Sequence, residues 1–98
     1  MPFKTSPETD NDLIKIYEYG FLKFGEAQAE KYFSELQDCF QLLNESPFIC
    51  RERDEFNPPV RICHHGRHLI IYLIMDDYIL IVRVLHERMD VQRRLFFT

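Results

Sequence analysis

The sequence predicts an α+β domain in which a helical hairpin packs on an antiparallel sheet. Residues 68–75 and 78–86 are two runs of β-branched, aromatic and aliphatic residues, and the acidic pair 76–77 separates them in a hairpin pattern. Residues 7–44 repeat apolar side chains at intervals of three and four, which is typical of amphipathic helices. The predicted order is β-α-α-β-β-β, with the helices placed before most of the strands.

The first predicted elements are a short edge strand, Phe3–Thr5, and a helix. Ser6 suits the N-cap of this helix, and Pro7 suits its first position. Its apolar face consists of Leu13, Ile16, Tyr17, Gly20, Phe21 and Phe24. Gly25 follows at the position where a left-handed C-terminal cap is expected.

A second helix is predicted from Glu26 to Asn44, where Ser46-Pro47 ends it. Its apolar face consists of Ala29, Tyr32, Phe33, Leu36, Phe40 and Leu43. Two helices joined across one glycine form an antiparallel hairpin, whose aromatic stripe is the natural cover for one face of the sheet. We therefore expect Phe21, Phe33, Leu36 and Phe40 to be core residues.

The strand hairpin is predicted with a two-residue turn, so that Met75 faces Tyr78. This register pairs Leu69, Ile71 and Leu73 with Val84, Val82 and Leu80 on one face, and it places Arg67 beside His86 at the end of that face. The other face carries Ile70, Tyr72, Ile74, Ile79, Ile81 and Leu85, with Arg83 among them. Because both faces are apolar, the pair is expected to be central and covered on both sides.

The remaining chain is predicted to connect and cover these elements. Residues 48–59 form an irregular connector, and Val60–His65 is a third strand. The tail 91–98 contains Leu95, Phe96 and Phe97, which are unfavourable in water. The sequence leaves open whether this tail is flexible, folds back on the uncovered face of the sheet, or meets a partner.

The composition indicates one domain, residues 1–98, in the cytoplasm. No apolar run is long enough to span a membrane, and the N-terminus lacks the apolar region of a signal peptide. Cys39, Cys50 and Cys63 are odd in number and lack metal-type spacing, so we expect reduced thiols. Residues 1–59 hold 6 Lys/Arg against 12 Asp/Glu, and this acidic excess argues against direct nucleic-acid binding.

The sequence has no phosphate loop, metal signature or nucleophile elbow, and it predicts neither a metal nor a cofactor. Neighbouring histidines at 64, 65 and 68 alternate between the two faces of a strand. The one convergent polar cluster is Arg67 and His86, with Arg61 and Arg88 as further candidates. A metal-free ribonuclease needs a base, an acid and a cation, which His86, Glu87 and these arginines could supply. The alternative is that His86 and Arg83 cap and solvate the end of a strand, or pair with Asp54, Glu55 or Asp90.

The order and spacing of these residues resemble the ParE-type toxins of the RelE/ParE superfamily, which belong to bacterial type II toxin–antitoxin systems. The sharpest match is Ile81-Val-Arg-Val-Leu-His86, followed by Glu87-Arg88-Met89-Asp90. Further matches are Ser6-Pro7-Glu8, Asp12-Leu13, Phe24-Gly25, Arg53-Asp54-Glu55 and Gly66-Arg67-His68. The resemblance covers nearly the whole chain, but the tail 91–98 departs from the pattern.

The resemblance implies a RelE/ParE-like fold and a toxin that a co-expressed antitoxin neutralises. It also implies that the target is DNA gyrase, poisoned by binding rather than by an enzymatic reaction. The residues implicated in toxicity by the resemblance are Arg83, His86, Arg88, Met89 and Asp90. We expect the antitoxin to cover apolar surface at Leu13, Tyr17, Ile70, Tyr72 and Ile81, and homodimerisation through the same face is the alternative. The second hypothesis for function is a ribosome-dependent mRNA endonuclease of the RelE type, with Arg67 and His86 as catalytic residues.

Overall fold

The helical hairpin of the computed structural model, which describes residues 2–95, follows the prediction. Helix α1 spans Pro7–Phe24, and α2 spans Glu26–Glu45. The N-cap of α1 is Ser6, whose Oγ accepts a hydrogen bond from the backbone N–H of Thr9 at 3.0 Å. Gly25 joins the helices at a φ of 94°, a conformation that favours glycine.

Five strands form one mixed sheet. They are β1 (Phe3–Thr5), β2 (Glu52–Arg53), β3 (Val60–His65), β4 (His68–Ile74) and β5 (Ile79–His86). The sheet order is β1-β5-β4-β3-β2. The predicted α+β arrangement is confirmed, with two additions: β1 pairs in parallel with β5, and the two-residue strand β2 lies within the predicted connector. A short helix, α3, spans Val91–Arg94.

The β4–β5 hairpin has the predicted turn but not the predicted register throughout. The N–H of Met75 donates to the carbonyl of Tyr78 at 2.8 Å, which confirms the two-residue turn. Leu73 faces Leu80 as predicted. A bulge in β5 lies opposite the bond between Ile71 and Tyr72, and from there to the start of β4 the pairing is shifted by one residue. His86 therefore pairs with His68, and its predicted pairing with Arg67 is wrong.

The bulge also exchanges two residues between the faces of the sheet. Val84 packs against the helices, whereas Leu85 lies on the outer face. The core beneath the helices comprises Leu13, Leu36, Phe40, Leu43, Ile70, Tyr72, Ile79, Ile81 and Val84. The prediction of core packing holds for Leu36 and Phe40, and Phe33 packs against this core. It is wrong for Phe21, which lies in the last turn of α1 and is 46% exposed.

The outer face of the sheet is covered by the connector and the C-terminal residues rather than by a long helix. Phe56 from the connector is buried there with Val60, Ile71 and Leu85. Leu95 packs on the same face with Val91, which is one of the alternatives predicted for the tail. The predicted roles of Phe96 and Phe97 concern positions outside the described residues.

The connector between α2 and β3 is tied to the sheet by a disulfide. Cys50 and Cys63 are bonded to each other, so the expectation of three reduced thiols is wrong for this pair. The two residues are 13 positions apart, and the return of β3 beside the connector brings them together. Cys39 remains a thiol, and burial raises its pKa.

Candidate functional site

The first candidate surface is the C-terminal segment, residues 87–95, which follows β5. Its start is held by two backbone hydrogen bonds, from Glu87 N–H to the carbonyl of Arg67 and from Met89 N–H to the carbonyl of His86, both at 2.9 Å. Asp90 caps α3 by accepting from the N–H of Gln92 at 3.0 Å. Three residues of the predicted toxicity set, Arg88, Met89 and Asp90, are exposed on this anchored turn.

Arg83, also predicted for toxicity, points inward instead. Its Nε and Nη2 donate to the two carboxylate oxygens of Asp12 at 2.7 and 2.8 Å. Its Nη1 donates to the carbonyl of Arg94 at 3.0 Å. The guanidinium therefore connects α1, β5 and α3, and this hydrogen-bonding pattern is that of a structural arginine.

His86 lies in a small cluster of aromatic and imidazole rings. Its ring meets that of His68 edge-on, with centroids 5.5 Å apart. His68 Nδ1 lies 2.6 Å from the hydroxyl of Tyr32, a residue of α2. Burial, followed by the neighbouring His86, lowers the pKa of His68 to about 4, so this imidazole is neutral at pH 7. His86 Nδ1 accepts the backbone N–H of Arg88 at 3.1 Å.

The four residues of the predicted polar cluster do not all meet. Arg67, His86 and Arg88 lie at the same end of the sheet, where Arg67 Nη1 is 3.9 Å from Glu87 Oε2. Arg61 is separate, because it pairs with Tyr72 in the sheet and donates to the carbonyl of Cys50 at 2.7 Å. Within residues 2–95, no group of three or more His, Cys, Asp or Glu residues could hold a metal ion.

The second candidate surface is an apolar groove between α1 and α2, with a volume of about 500 Å³. It is lined by Asp10, Leu13, Ile14, Tyr17, Glu18, Glu30 and Phe33. Tyr17 meets Phe33 edge-on at 6.2 Å, and its hydroxyl donates to Glu30 at 2.7 Å. The floor of the groove is therefore apolar and part of its rim is carboxylate.

Three residues predicted to bind the antitoxin lie beneath the helical hairpin. Ile70, Tyr72 and Ile81 are fully buried in the core, so a partner on the surface of this structure does not reach them. Leu13 and Tyr17 line the groove instead. Sequence reasoning missed Ile14, which is 55% exposed, because it lies outside the regular apolar stripe of α1. It also missed Asp12 and Tyr32, whose partners depend on tertiary contacts with distant strands.

The chain is similar to known toxins over most of its length. The model of a family described as "ParE toxin of type II toxin-antitoxin system, parDE" matches residues 3–91. Toxin ParE1 of Mycobacterium tuberculosis is 36% identical over 91 residues, which cover 92% of this chain and 93% of that protein. Toxin ParE of Escherichia coli is 32% identical over 91 residues, which cover 90% of this chain and 86% of that protein.

A solved structure shares the fold. It belongs to the chromosomal ParDE TA system from P. aeruginosa, and it superposes with a TM-score of 0.75 at 19% sequence identity. The match covers 88% of this chain and 95% of the other. No helix in the part of the chain that the structure describes is long and apolar enough to cross a membrane.

Proposed function

The chain belongs to the ParE toxins of type II toxin–antitoxin systems, and we propose that it acts in the cytoplasm by binding and poisoning DNA gyrase. Membership of this family makes an antitoxin its partner. The proposal assigns the two surfaces to different proteins: the C-terminal segment contacts gyrase, and the groove between α1 and α2 receives the antitoxin.

The observation that carries the proposal is the exposed, anchored turn at the start of the C-terminal segment. Arg88, Met89 and Asp90 project from it, and Met89 is 41% exposed. Backbone hydrogen bonds hold the turn on one side, and α3 holds it on the other. Methionine and arginine are enriched where proteins meet proteins, and a pre-ordered segment loses little entropy on binding.

The groove between the helices has the character expected of an antitoxin site. Its apolar floor includes Leu13 and Ile14, and its rim includes Asp10, Glu18 and Glu30. The helical hairpin is acidic overall, with nine Asp/Glu and three Lys between residues 7 and 45. An amphipathic helix with an apolar face and flanking Lys or Arg would complement this surface in shape and charge.

The geometry of the sheet end favours binding over RNA cleavage. The bulge in β5 places His68, rather than Arg67, opposite His86. Nδ1 of His86 is occupied by the N–H of Arg88, and the Arg67 side chain is 70% exposed. No hydrogen bond joins Arg67 to His86 among the described residues, and one ring nitrogen of His86 is already used within the protein, which favours binding over the acid–base chemistry that a ribonuclease requires.

A supercoiling assay with purified toxin and gyrase, run beside a translation assay with ribosomes and mRNA, tests the proposal. We expect blocked supercoiling or persistent cleaved DNA, reversal by the antitoxin, and unaffected translation. Met89→Asp should weaken gyrase inhibition at least about tenfold, because it places a charge in the contact. Met75→Asp is the matched control, since Met75 is 37% exposed at the opposite end of β4.

Two outcomes contradict the proposal. If gyrase activity is intact while mRNA is cut at the ribosome, the toxin is a nuclease of the alternative type. If Met75→Asp and Met89→Asp weaken gyrase inhibition equally, the C-terminal segment is not the contact surface.

A further inference from the structure

Asp12 is a carboxylate of α1 that is almost completely enclosed. Its side chain is 11% exposed, and that of its partner Arg83 is 19% exposed. Asp12 accepts three hydrogen bonds, two from Arg83 and a third, at 3.1 Å, from the backbone N–H of Val84. A charged group with this many partners at low exposure holds its neighbours in a defined geometry.

The same guanidinium reaches the C-terminal segment. Arg83 Nη1 donates to the carbonyl of Arg94, which lies in the last turn of α3. The hydrogen bonds that Arg83 donates to Asp12 raise the pKa of Arg83, whose side chain therefore stays charged. Three of the N–H groups of Arg83 are used within the protein, which leaves it poorly placed to contact a target directly.

Helix α3 depends on these contacts. It has four residues, Val91–Arg94, and so short a helix is not stable without tertiary support. Its support comes from the hydrogen bond of Arg83 and from Val91 and Leu95, which pack on the outer face of the sheet. The exposed turn at 88–90 lies between α3 and the end of β5.

We propose that Asp12 is a positioning residue for target binding, because it orients Arg83, which in turn fixes α3 and the turn at 88–90. The inference rests on the proposed function for its link to gyrase. It changes the role of Arg83, which acts from inside the protein rather than at the contact surface. It also assigns to α1 a part in toxicity that is separate from antitoxin binding.

The experiment compares Asp12→Asn with the wild type by amide hydrogen exchange and by gyrase inhibition. We expect exchange of the Leu95 N–H, which is bonded to the carbonyl of Val91, to accelerate about tenfold. Exchange at Ile70 and Ile71, in the core strand β4, should change much less. Gyrase inhibition should weaken about tenfold, and antitoxin affinity should stay within about twofold.

Asp38→Asn is the matched control, since it makes the same chemical change at an exposed position of α2 and should leave all three readouts unchanged. Leu95→Ala loosens the segment by a second route with the ion pair intact, and it should also weaken gyrase inhibition. The inference is wrong if Asp12→Asn accelerates exchange equally throughout the chain. It is also wrong if Leu95→Ala loosens the segment without any loss of inhibition.

The exchange readout does not depend on gyrase. If the wild type leaves gyrase active, the proposed function fails, while exchange at Leu95 still decides whether Asp12 holds the segment in place. An unchanged exchange rate in Asp12→Asn would overturn the inference even with gyrase inhibition confirmed.

Discussion

The hydroxyl of Tyr32 lies 2.6 Å from Nδ1 of His68, and this contact joins α2 to the start of β4. The same hydroxyl donates to the carbonyl of His65 at 3.2 Å. Tyr32 also covers the turn at Gly66, so three sequence positions of the β3–β4 connection pack on one ring. The contact makes the stability of the protein sensitive to the protonation of His68 and to the size of residue 66.

Stability should fall as the pH is lowered below the ordinary pKa of histidine. The pKa of His68 is lowered from 6.5 to about 4, so the unfolded chain takes up a proton that the folded chain resists between these values. The stabilisation that comes from neutral His68 is fully present above about pH 6.5, and it is lost as the pH falls toward about 4. We expect a loss on the order of 1–2 kcal/mol, allowing for partial solvent exposure, in urea unfolding measured across this range.

His68→Gln should make this part of the pH profile shallower, since glutamine keeps a hydrogen-bonding group but does not titrate. His64→Gln is the control, because His64 is exposed and pairs with Glu87 at the surface. Equal slopes for the wild type and His68→Gln would show that other groups cause the pH dependence.

Gly66→Ala should destabilise the fold by about 1–3 kcal/mol. Gly66 has a φ of 57°, and an added Cβ would lie 2.7 Å from the hydroxyl of Tyr32 and 2.9 Å from its ring. Gly20→Ala is the control in α1, where the new Cβ would lie 3.6 Å from that of Ala29. Alanine there should be neutral or stabilise by up to about 1 kcal/mol. Denaturant unfolding of both variants tests the prediction, and equal midpoints would contradict it.

Ile14→Asp should weaken antitoxin binding at least about tenfold, because it places a charge on the apolar floor of the groove beside the acidic rim. Ile49→Asp is the matched control, since Ile49 is 56% exposed against 55% for Ile14 and lies in the connector. Calorimetric titration of each variant with the antitoxin measures the difference. If Ile14→Asp binds the antitoxin with unchanged affinity, the groove is not the antitoxin site.

Reducing the disulfide should lower the free energy of unfolding by about 2–4 kcal/mol, since it releases a loop closed between Cys50 and Cys63. Urea unfolding with and without a dithiol reductant measures this effect. Cys63→Ser should unfold identically in both conditions, whereas Cys39→Ser should keep the response of the wild type. If the free energy of unfolding of the wild type is the same with and without the reductant, the prediction is wrong.

Local patterns in the sequence predict most of the fold. Ser6, Pro7 and Gly25 determine the ends of α1 through backbone geometry and hydrogen bonding, which depend on neighbours in the chain. The β4–β5 turn follows from the acidic pair between two apolar runs. The order of the matching residues also predicts the family correctly, because a pattern spread over the chain is more specific than any single motif.

The features that were not predicted depend on tertiary contacts. The sequence predicts neither the bulge in β5 nor the ion pair between Arg83 and Asp12, because an alternation of apolar residues contains no information about a partner on another helix. The disulfide depends on the path of the connector, which its charges and prolines do not specify. Phe21 has the spacing of a core residue but is exposed in the last turn of α1. In each case the position of a distant element decides the outcome.

The parallel pairing of β1 with β5 has a consequence for the biosynthesis of the protein. Ser6 Oγ donates to the carbonyl of Val82, 76 positions later, and Phe3 pairs with Ile79. On the ribosome, the two helices emerge before the strands they cover, so their apolar faces are in water until residues 79–86 have been synthesised. A nascent chain at that stage has no completed sheet, and it lacks the turn at 88–90. Under the proposed function, the contact with gyrase forms only after residues 88–90 have been synthesised, which is later than both helices that line the groove for the antitoxin.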